Sequence, residues 1–195
     1  MERYVKLYEN VLDKETCAEM IAVFEANKDQ HEVHKNEIMD FKQINLIDHI
    51  TTWQPYVHKL TQSFSNALQQ YQEECSIHTP IMWPEEYAFE QFRMKRYEPN
   101  EGIFDTHVDV TDHKSSIRFL AFFLYLNDAD SDDQKDGATE FPTLGLMSQR
   151  KTGSILMFPP LWTYPHVGLM PKSNPKYIVG SYLHYLKDEE NVESQ

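Results

Sequence analysis

Hydrophobic residues recur at helical spacing in two parts of the first half of the chain. Asp13 can cap the start of a first helix. The apolar positions that follow it at helical spacing are Cys17, Met20, Ile21 and Phe24. A second helix is predicted to begin near Thr51–Thr52, with Pro55 in its first turn. Its apolar stripe comprises Trp53, Val57, Leu60, Phe64, Leu68 and Tyr71. Such stripes are typical of helices that pack one face against a core.

From about residue 87 the pattern changes to one that is typical of strands. The predicted strands are Tyr87–Tyr97, Arg118–Asn127, Ser154–Phe158 and Lys176–Tyr185. The second of these, RFLAFFLYLN, is almost continuously apolar, which predicts a strand buried on both faces. The sequence therefore predicts an α+β fold, in which an N-terminal helical layer packs on a C-terminal β-sandwich or barrel.

The distribution of glycine favours the same division. All six glycines lie after residue 101, at positions 102, 137, 145, 153, 168 and 180. Tight turns and bulges usually require glycine. We therefore expect the glycine-free part of the chain to be rich in helix.

Composition narrows the class of protein. A length of 195 residues fits one domain. The formal charge of -13 disfavours a nucleic-acid partner, because an acidic surface repels phosphate at long range. No apolar run is long enough for a transmembrane helix, and the N-terminus lacks the apolar core of a signal peptide. Cys17 and Cys75 cannot form a disulfide framework. We expect a reduced, cytoplasmic protein without a membrane partner.

An acidic run, DADSDDQKD, occupies Asp128–Asp136. A calcium-binding loop is conceivable there, but the spacing, glycine and closing glutamate of an EF-hand are absent. A solvated loop is the expected structure. A second acidic stretch, Asp188–Glu190, lies in the C-terminal tail.

Three side chains have the chemistry of a metal site. His107 and Asp109 are two positions apart, so on a strand they share one face and can bind the same ion. His166 follows the predicted strand Ser154–Phe158 and supplies a third ligand candidate. Two histidines and one carboxylate are the set that holds non-haem Fe(II) while leaving positions open. Lys176 lies ten residues beyond His166, where it suits the far carboxylate of a dicarboxylate ligand.

Several ordered motifs resemble the Fe(II)/2-oxoglutarate-dependent dioxygenases, specifically the prolyl 4-hydroxylase-like branch. YEPNEGIFDTHVD at 97–109 is similar to the family pattern Y-x-P-x-x-G-x-F/Y-x-x-H-x-D. RFLAFFLYLN resembles the following strand, R-x-x-x-x-x-x-Y-L-N, and GATEFP at 137–142 resembles the turn G-G-x-T-x-F-P. KTGSILMF at 151–158 resembles the segment ending G-x-x-L-x-F, and His166 with Lys176 matches the closing H-x9-K.

The resemblance covers about half of the chain and implies the fold and the cofactors. It implies a double-stranded β-helix, or jelly roll, with N-terminal supporting helices. In this single catalytic domain, residues 1–86 would be mainly helical support, 87–186 the dioxygenase core and 187–195 an acidic tail. Fe(II), the co-substrates 2-oxoglutarate and O2, and ascorbate as the reductant are implied as well. A monomer of the compact microbial, algal or phage-encoded type is expected, in the host cytoplasm if it is phage-encoded.

The resemblance also implies roles for individual residues. His107, Asp109 and His166 would bind the iron, and the presence of Asp109 favours hydroxylation over halogenation. Lys176 would pair with the C5 carboxylate of 2-oxoglutarate. The hydrogen-bonding residues expected to support that carboxylate are Thr139, Tyr97 and Tyr125. The residues expected to contact a peptide substrate or to line its site are Arg118, His184 and Tyr182. At Tyr182 the family often has tryptophan.

The implied reaction is hydroxylation of prolyl residues in a peptide or protein, coupled to conversion of 2-oxoglutarate and O2 to succinate and CO2. Three alternatives stay open at this point. The chain could be a 2-oxoglutarate oxygenase for another residue, a free amino acid or a small molecule. It could be a non-catalytic metal-binding jelly roll, or a nucleic-acid demethylase, which the net charge disfavours. The segments Asp29–Asn45 and Thr79–Glu86 are expected as lids over a peptide groove.

Overall fold

A computed structural model of the chain describes residues 2–77 and 81–186. The two α-helices are α1 (Lys14–Ala26) and α2 (Ile50–Glu74). The twelve strands are β1 (Lys6–Tyr8), β2 (Glu32–Lys35), β3 (Met39–Asn45), β4 (Tyr87–Phe89), β5 (Arg93–Tyr97), β6 (Ile103–His107), β7 (Arg118–Tyr125), β8 (Thr139–Phe141), β9 (Leu146–Ser148), β10 (Ile155–Phe158), β11 (His166–Gly168) and β12 (Lys176–Tyr185). The short 3-10 helices are Glu2–Tyr4, Lys28–Gln30 and Ser115–Ile117. The predicted acidic tail, residues 187–195, lies outside the described residues.

The strands form one curled antiparallel sheet. Its order is β1-β10-β7-β12-β5-β3-β6-β11-β8-β9, with β2 added beside β3 and β4 added beside β12. Except for β8 and β9, neighbouring strands in this order are not consecutive in the sequence, as the crossovers of a jelly roll require. The predicted α+β class, with a jelly-roll core and supporting helices in the N-terminal part, is confirmed.

Both helices form where the sequence predicted them. Asp13 caps α1, because its carboxylate accepts a hydrogen bond from the backbone N–H of Thr16 at 2.7 Å. Pro55 lies within the first two turns of α2. The face of α2 that is fully buried carries Trp53, Leu60, Phe64, Ala67, Leu68 and Tyr71. Together with Met20 and Phe24 of α1, it packs against one side of the sheet.

Strand β7 shows why its sequence is almost continuously apolar. Leu120, Phe122 and Leu124 belong to the core beneath the helices. Ala121 and Tyr125, which alternate with them, belong to a second core inside the curled sheet. Because β7 is covered on both faces, neither set of alternating positions can be polar. The helices thus support the outside of the sheet and leave its inside free for a cavity.

The N-terminal half contains more strand than the absence of glycine suggested. Strands β1, β2 and β3 all precede residue 86, although helical support was the expectation there. The glycine-free part does contain both α-helices, as expected, but the absence of glycine does not exclude strands there. Other residues take the left-handed conformation in this part: Asn10, Ser76 and Asn100 have φ values of 58°, 54° and 62°. Asparagine tolerates this conformation better than most residues.

The expectation of a lid over Asp29–Asn45 is also wrong for most of that segment. Strand β3 lies inside the sheet, paired with both β5 and β6, while β2 extends the sheet beside it. Part of the other expected lid, Thr79–Glu86, lies outside the described residues.

Two further predicted segments differ in detail. The expected strand Tyr87–Tyr97 is divided into β4 and β5, which pair with opposite ends of β12. The acidic run ending at Asp136 is not simply solvated, because the Asp136 side chain is buried against Arg150.

Cys17 and Cys75 are both buried and free. No helix in the described ranges has both the length and the apolar character that a membrane crossing requires.

Candidate functional site

Strand pairing brings together the three metal-ligand candidates of the sequence. In the register between β6 and β11, His166 lies directly opposite His107, although 59 residues separate them. Asp109 follows just after the end of β6. One potential ligand atom from each of the three residues lies within 4.8 Å of the other two. His107 Nε2 is 3.5 Å and His166 Nε2 is 3.7 Å from the Asp109 carboxylate.

Backbone carbonyls orient both imidazole rings. Nδ1 of His107 lies 2.6 Å from the carbonyl oxygen of Asp105, and Nδ1 of His166 lies 3.2 Å from that of Tyr164. A carbonyl can only accept, so each Nδ1 must donate its hydrogen, and each Nε2 keeps a free lone pair. Burial lowers the pKa of His166 to about 4. Its ring is therefore neutral at physiological pH, as a metal ligand must be.

The site contains buried polar atoms that the protein does not satisfy. Among the described residues, neither Asp109 Oδ2 nor His166 Nε2 has a hydrogen-bond partner. Such atoms normally cost free energy when they are buried without a partner. Burial acts to raise the pKa of Asp109, but the contacts with His107 and His166 outweigh it and hold that pKa below its usual value. The anionic carboxylate and the two lone pairs fit a divalent cation, and this donor set fits Fe(II).

Aromatic side chains hold the two histidines in place. Phe104 stacks on His107 with ring centroids 3.6 Å apart. Phe158 contacts the ring of His166 edge-on at 4.8 Å. Phe123 and Phe141 also lie within 6 Å of the His166 centroid. This packing restricts ring rotation and excludes water from one side of the site.

A cavity inside the curled sheet adjoins the two histidines. Lys176, at the start of β12, pairs in register with Tyr97 of β5, and both side chains line the cavity with Thr139. The Lys176 ammonium lies 5.5 Å from the Tyr97 ring and 5.6 Å from the Tyr125 ring. Tyr125 is fixed behind them, since its hydroxyl donates to Thr139 Oγ1 at 2.8 Å. All four residues that the sequence assigned to a dicarboxylate are thus brought together.

Gly168 helps to keep this cavity open. A Cβ atom at this position would lie 3.9 Å from the Lys176 Nζ and 3.8 Å from the Phe104 side chain. It would therefore occupy space between Lys176 and Phe104. Gly168 therefore lines the cavity without adding a side chain to it.

The Lys176 ammonium is buried without an anion beside it. In residues 2–77 and 81–186, it has neither a hydrogen bond nor a salt bridge, and the side chain is 3% exposed. Burial, and then the positive charges of Arg150 and Lys95, lower the pKa of Lys176 to about 7. An unpaired ammonium at the base of a cavity favours an anionic ligand.

The residues predicted to contact a substrate lie at the mouth of the site. The Arg118 guanidinium stands 4.2 Å from the Tyr182 ring centroid and donates to the Asp109 carbonyl oxygen at 3.2 Å. The Tyr182 side chain reaches the Asp109 carboxylate. His184 pairs with Arg118 in the β7–β12 register and lines the same groove. Asp109 also lines this groove, whereas His107 and His166 line the cavity.

Two side chains of the site were not predicted. Glu90 binds Arg118 through both carboxylate oxygens, at 2.6 and 2.9 Å. No motif marks Glu90, which lies in the break between β4 and β5. Lys95 lines the cavity beside the metal-ligand cluster. Its position two residues before Tyr97, on the same face of a strand, was the available signal.

Comparison with known families gives one match to the core. The model of the 2OG-Fe(II) oxygenase superfamily matches residues 92–184. The matched range begins just before β5 and ends in β12, so it includes the metal-ligand cluster and the cavity. No curated protein sequence matches the chain.

Three solved structures share the fold over nearly the whole chain. A viral collagen prolyl hydroxylase from Paramecium bursaria Chlorella virus-1 is 19% identical with a TM-score of 0.69, and the match covers 94% of this chain and 97% of that one. A Pseudomonas putida prolyl-4-hydroxylase is 11% identical with a TM-score of 0.65, covering 95% and 94%. A prolyl hydroxylase from Trichoplax adhaerens, in complex with a hypoxia inducible factor peptide fragment, is 13% identical with a TM-score of 0.67, covering 99% and 88%.

Proposed function

Because this chain belongs to the 2OG-Fe(II) oxygenase superfamily, we propose that it hydroxylates prolyl residues in a peptide or protein. It is a 2-oxoglutarate-dependent dioxygenase that uses Fe(II), 2-oxoglutarate and O2. The single observation that carries the proposal is the position of the metal-ligand cluster, between a lysine-containing cavity and a groove open to solvent. The fold shared with three prolyl hydroxylases supports proline as the target.

We propose that His107, Asp109 and His166 hold the iron. Their unsatisfied buried atoms provide the two nitrogen ligands and one oxygen ligand. When bound, Fe(II) and 2-oxoglutarate supply the oxidation of an unactivated C–H bond by O2. The chain itself fixes the ligand geometry through the Asp105 and Tyr164 carbonyls, which keep each Nε2 free.

The cavity would hold 2-oxoglutarate by its C5 carboxylate. Lys176 provides the positive charge for this carboxylate, in surroundings that exclude water and strengthen the pairing. Thr139 and Tyr97 line the same space and provide hydroxyl donors. Tyr125 acts through its hydrogen bond to Thr139, which fixes the orientation of that hydroxyl. A co-substrate held by Lys176 would share the cavity with His107 and His166, which also line it.

The peptide would bind in the groove that Arg118 and His184 line. Glu90 holds the Arg118 guanidinium in place and partly neutralises it. Arg118 still has a donor directed at the backbone carbonyl of Asp109, so it lies beside the reacting centre. Tyr182 forms an aromatic wall between Arg118 and the Asp109 carboxylate. A proline ring that enters from this groove would meet Tyr182 before it reaches the metal ligands.

The test is a peptide screen with purified protein, Fe(II), 2-oxoglutarate and ascorbate. We expect a proline-containing peptide to stimulate succinate release and to gain one oxygen atom on proline. Each active peptide is compared with the same peptide in which alanine replaces proline, and hydrolysis followed by amino-acid analysis separates 4-hydroxyproline from 3-hydroxyproline.

Three outcomes would count against the proposal. Oxygen on another residue, or on a free amino acid, would give the enzyme a different substrate. If no proline peptide raised succinate release above the uncoupled rate, the peptide assignment would be wrong. If His107→Ala kept the wild-type turnover of 2-oxoglutarate, the metal-ligand assignment would be wrong.

A further inference from the structure

Lys95 is a second lysine in the cavity, on the strand next to Lys176. Strands β5 and β12 pair so that Tyr97 lies opposite Lys176, and Lys95 lies opposite Ile178. Lys95 and Tyr97 are two residues apart on β5 and share its inner face, and both line the cavity. The two ammonium groups therefore come from adjacent strands, one pleat apart along the sheet.

Lys95 differs from the two arginines beside it on the chain. Arg93 and Arg96 each have a glutamate partner, Glu90 at 3.7 Å and Glu25 at 3.1 Å respectively. Lys95 has none within the described residues and contacts only the faces of two aromatic rings, Phe41 at 4.7 Å and Phe104 at 5.3 Å. Of these three neighbouring basic residues, it is the one whose charge lacks an acidic partner.

The ring contacts place Lys95 nearer the metal ligands than Lys176. Phe104, over which the Lys95 ammonium lies, is itself stacked on the His107 ring. Lys176 instead contacts the rings of Tyr97 and Tyr125. The two lysines thus contact different aromatic rings of the cavity lining. Their attachment points are offset by two residues along the paired strands, which corresponds to about 6.6 Å, so the two ammonium groups can face the two ends of a small dicarboxylate.

The residues that line the cavity include two lysines and no acidic side chain. Burial lowers the pKa of Lys95 to about 8, although the nearby Asp109 carboxylate opposes this shift. Asp109 is also needed by the metal ion, so it does not neutralise either lysine. A ligand with a carboxylate at each end would supply a partner for both ammonium groups.

We propose that Lys95 is a positioning residue that binds the C1 carboxylate of 2-oxoglutarate, while Lys176 binds the C5 carboxylate. This inference rests on the proposed function of the cavity. The consequence is a two-lysine clamp that selects a dicarboxylate of this length and fixes its rotation about the metal. Lys95 would hold the carboxylate that leaves as CO2, whereas Lys176 would hold the carboxylate that stays in succinate.

Two analogues, each with a methyl group in place of one carboxylate, separate the roles of the lysines. 2-Oxopentanoate keeps the C1 carboxylate and lacks the C5 carboxylate, and 4-oxopentanoate has the opposite pattern. Dissociation constants are measured by calorimetry on protein loaded with Mn(II), so that no turnover contributes. We expect Lys95→Met to weaken 2-oxoglutarate and 2-oxopentanoate about tenfold each, as for the loss of one charge-assisted hydrogen bond, and 4-oxopentanoate less than about twofold. Lys176→Met should give the reverse pattern.

Two variants serve as controls. Lys95→Arg keeps the charge and should bind 2-oxoglutarate within about threefold of the wild type. Lys42→Met makes the same charge change on neighbouring β3, where Lys42 pairs with Glu98 at 3.4 Å, and should bind as the wild type does. Circular dichroism and the unfolding midpoint establish that each variant is folded.

The inference fails if Lys95→Met binds 2-oxoglutarate like the wild type. It also fails if Lys95→Met lowers the affinities for 2-oxopentanoate and 4-oxopentanoate equally, since that would be an effect of the overall positive charge of the cavity. Wild-type protein that does not bind 2-oxoglutarate would overturn this inference and the proposed function together. Binding of 2-oxoglutarate without hydroxylation of any proline peptide would overturn the proposed substrate and leave the role of Lys95 standing.

Discussion

Asp109 and Asp136 are both buried carboxylates beside basic side chains, histidines for Asp109 and an arginine for Asp136, but their hydrogen bonding differs. Asp136 accepts hydrogen bonds from Arg150, Ser131 and the backbone N–H groups of Lys172 and Ser173. Both of its oxygens are therefore occupied. Asp109 faces two histidines, and its Oδ2 has no hydrogen-bond partner within the part of the chain that the structure describes.

The difference separates a structural ion pair from a site prepared for a ligand. The Asp136 and Arg150 side chains are 0% and 1% exposed, and their bonds join the loop after β7 to the loop between β9 and β10. Arg150 also donates to the carbonyl oxygens of Asn174 and Pro175, in the loop before β12. Asp136 therefore has no free oxygen to offer a ligand. The Asp109 cluster leaves its donor atoms free instead, and a bound cation would repay the cost of burying them.

The largest expected effect is on catalysis, from Asp109→Asn. Loss of the anionic ligand should reduce 2-oxoglutarate turnover at least about 1,000-fold, equivalent to about 4 kcal/mol in the activation barrier. The free energy of unfolding of the metal-free protein should change by less than about 1 kcal/mol, because asparagine keeps an acceptor oxygen for Tyr182 and removes a buried charge whose Oδ2 has no hydrogen-bond partner among the described residues. Turnover assays and urea unfolding measure the two quantities. A large loss of stability with retained turnover would show that Asp109 is structural.

Asp136→Asn should give the opposite pattern, with a somewhat smaller effect. Leaving the buried Arg150 without its counter-charge should lower the free energy of unfolding by about 3 kcal/mol. The folded fraction should keep the Mn(II) affinity of the wild type, measured by calorimetry. Asp133→Asn is the matched control in the same loop. Its partner Lys172 is exposed, and we expect a change below about 1 kcal/mol. Equal losses in the two variants would contradict the structural role of the buried pair.

The smallest expected effect is a pH dependence of 2-oxoglutarate binding. The pKa of Lys176 in the free protein is about 7, and pairing with a carboxylate raises it in the complex. The dianion binds the protonated lysine, so its affinity should be greatest below pH 7. It should fall by up to about tenfold for each pH unit above 7. Lys95, whose pKa is about 8, steepens the upper part of this range if it also binds the ligand.

Calorimetry of 2-oxoglutarate binding between pH 6 and about 9 measures this profile. Lys176→Arg is the control, since its guanidinium stays charged and should give a flatter curve. An identical slope in this variant would exclude Lys176 as the titrating group. The stability of the ligand-free protein should change with pH in the opposite direction to 2-oxoglutarate affinity. Because the pKa of Lys176 is lower in the folded protein than in the unfolded chain, the free energy of unfolding should increase as pH rises above 7.

Much of the fold was predictable because its signals are local. The cap at Asp13, the apolar stripe of α2 and the continuous apolar run of β7 each depend on residues close together in sequence. The strands β1, β2 and β3 were missed for a related reason. They are short, and their stability comes from pairing with distant strands rather than from their own composition.

The chemistry of the site was also present in the sequence, through the order and spacing of its motifs. His107 and Asp109 share a strand face by spacing alone, and the interval from His166 to Lys176 matched a known pattern. The sequence could not indicate Glu90, because its partner Arg118 is 28 residues away and no periodicity links them. It placed Lys95 in a basic cluster without indicating that its charge lacks an acidic partner.

The sequence by itself thus determined which side chains carry the chemistry, and which segments are helical or apolar. Only the tertiary structure decided which charges are paired. It placed His166 opposite His107 across two strands and satisfied both oxygens of Asp136. Within the residues that the structure describes, it left Asp109 Oδ2 without a hydrogen-bond partner and the two lysines without an acidic partner. The physical reason is that a charge can be partnered by any group that folding brings near it, whereas spacing along the chain specifies only neighbours within one element.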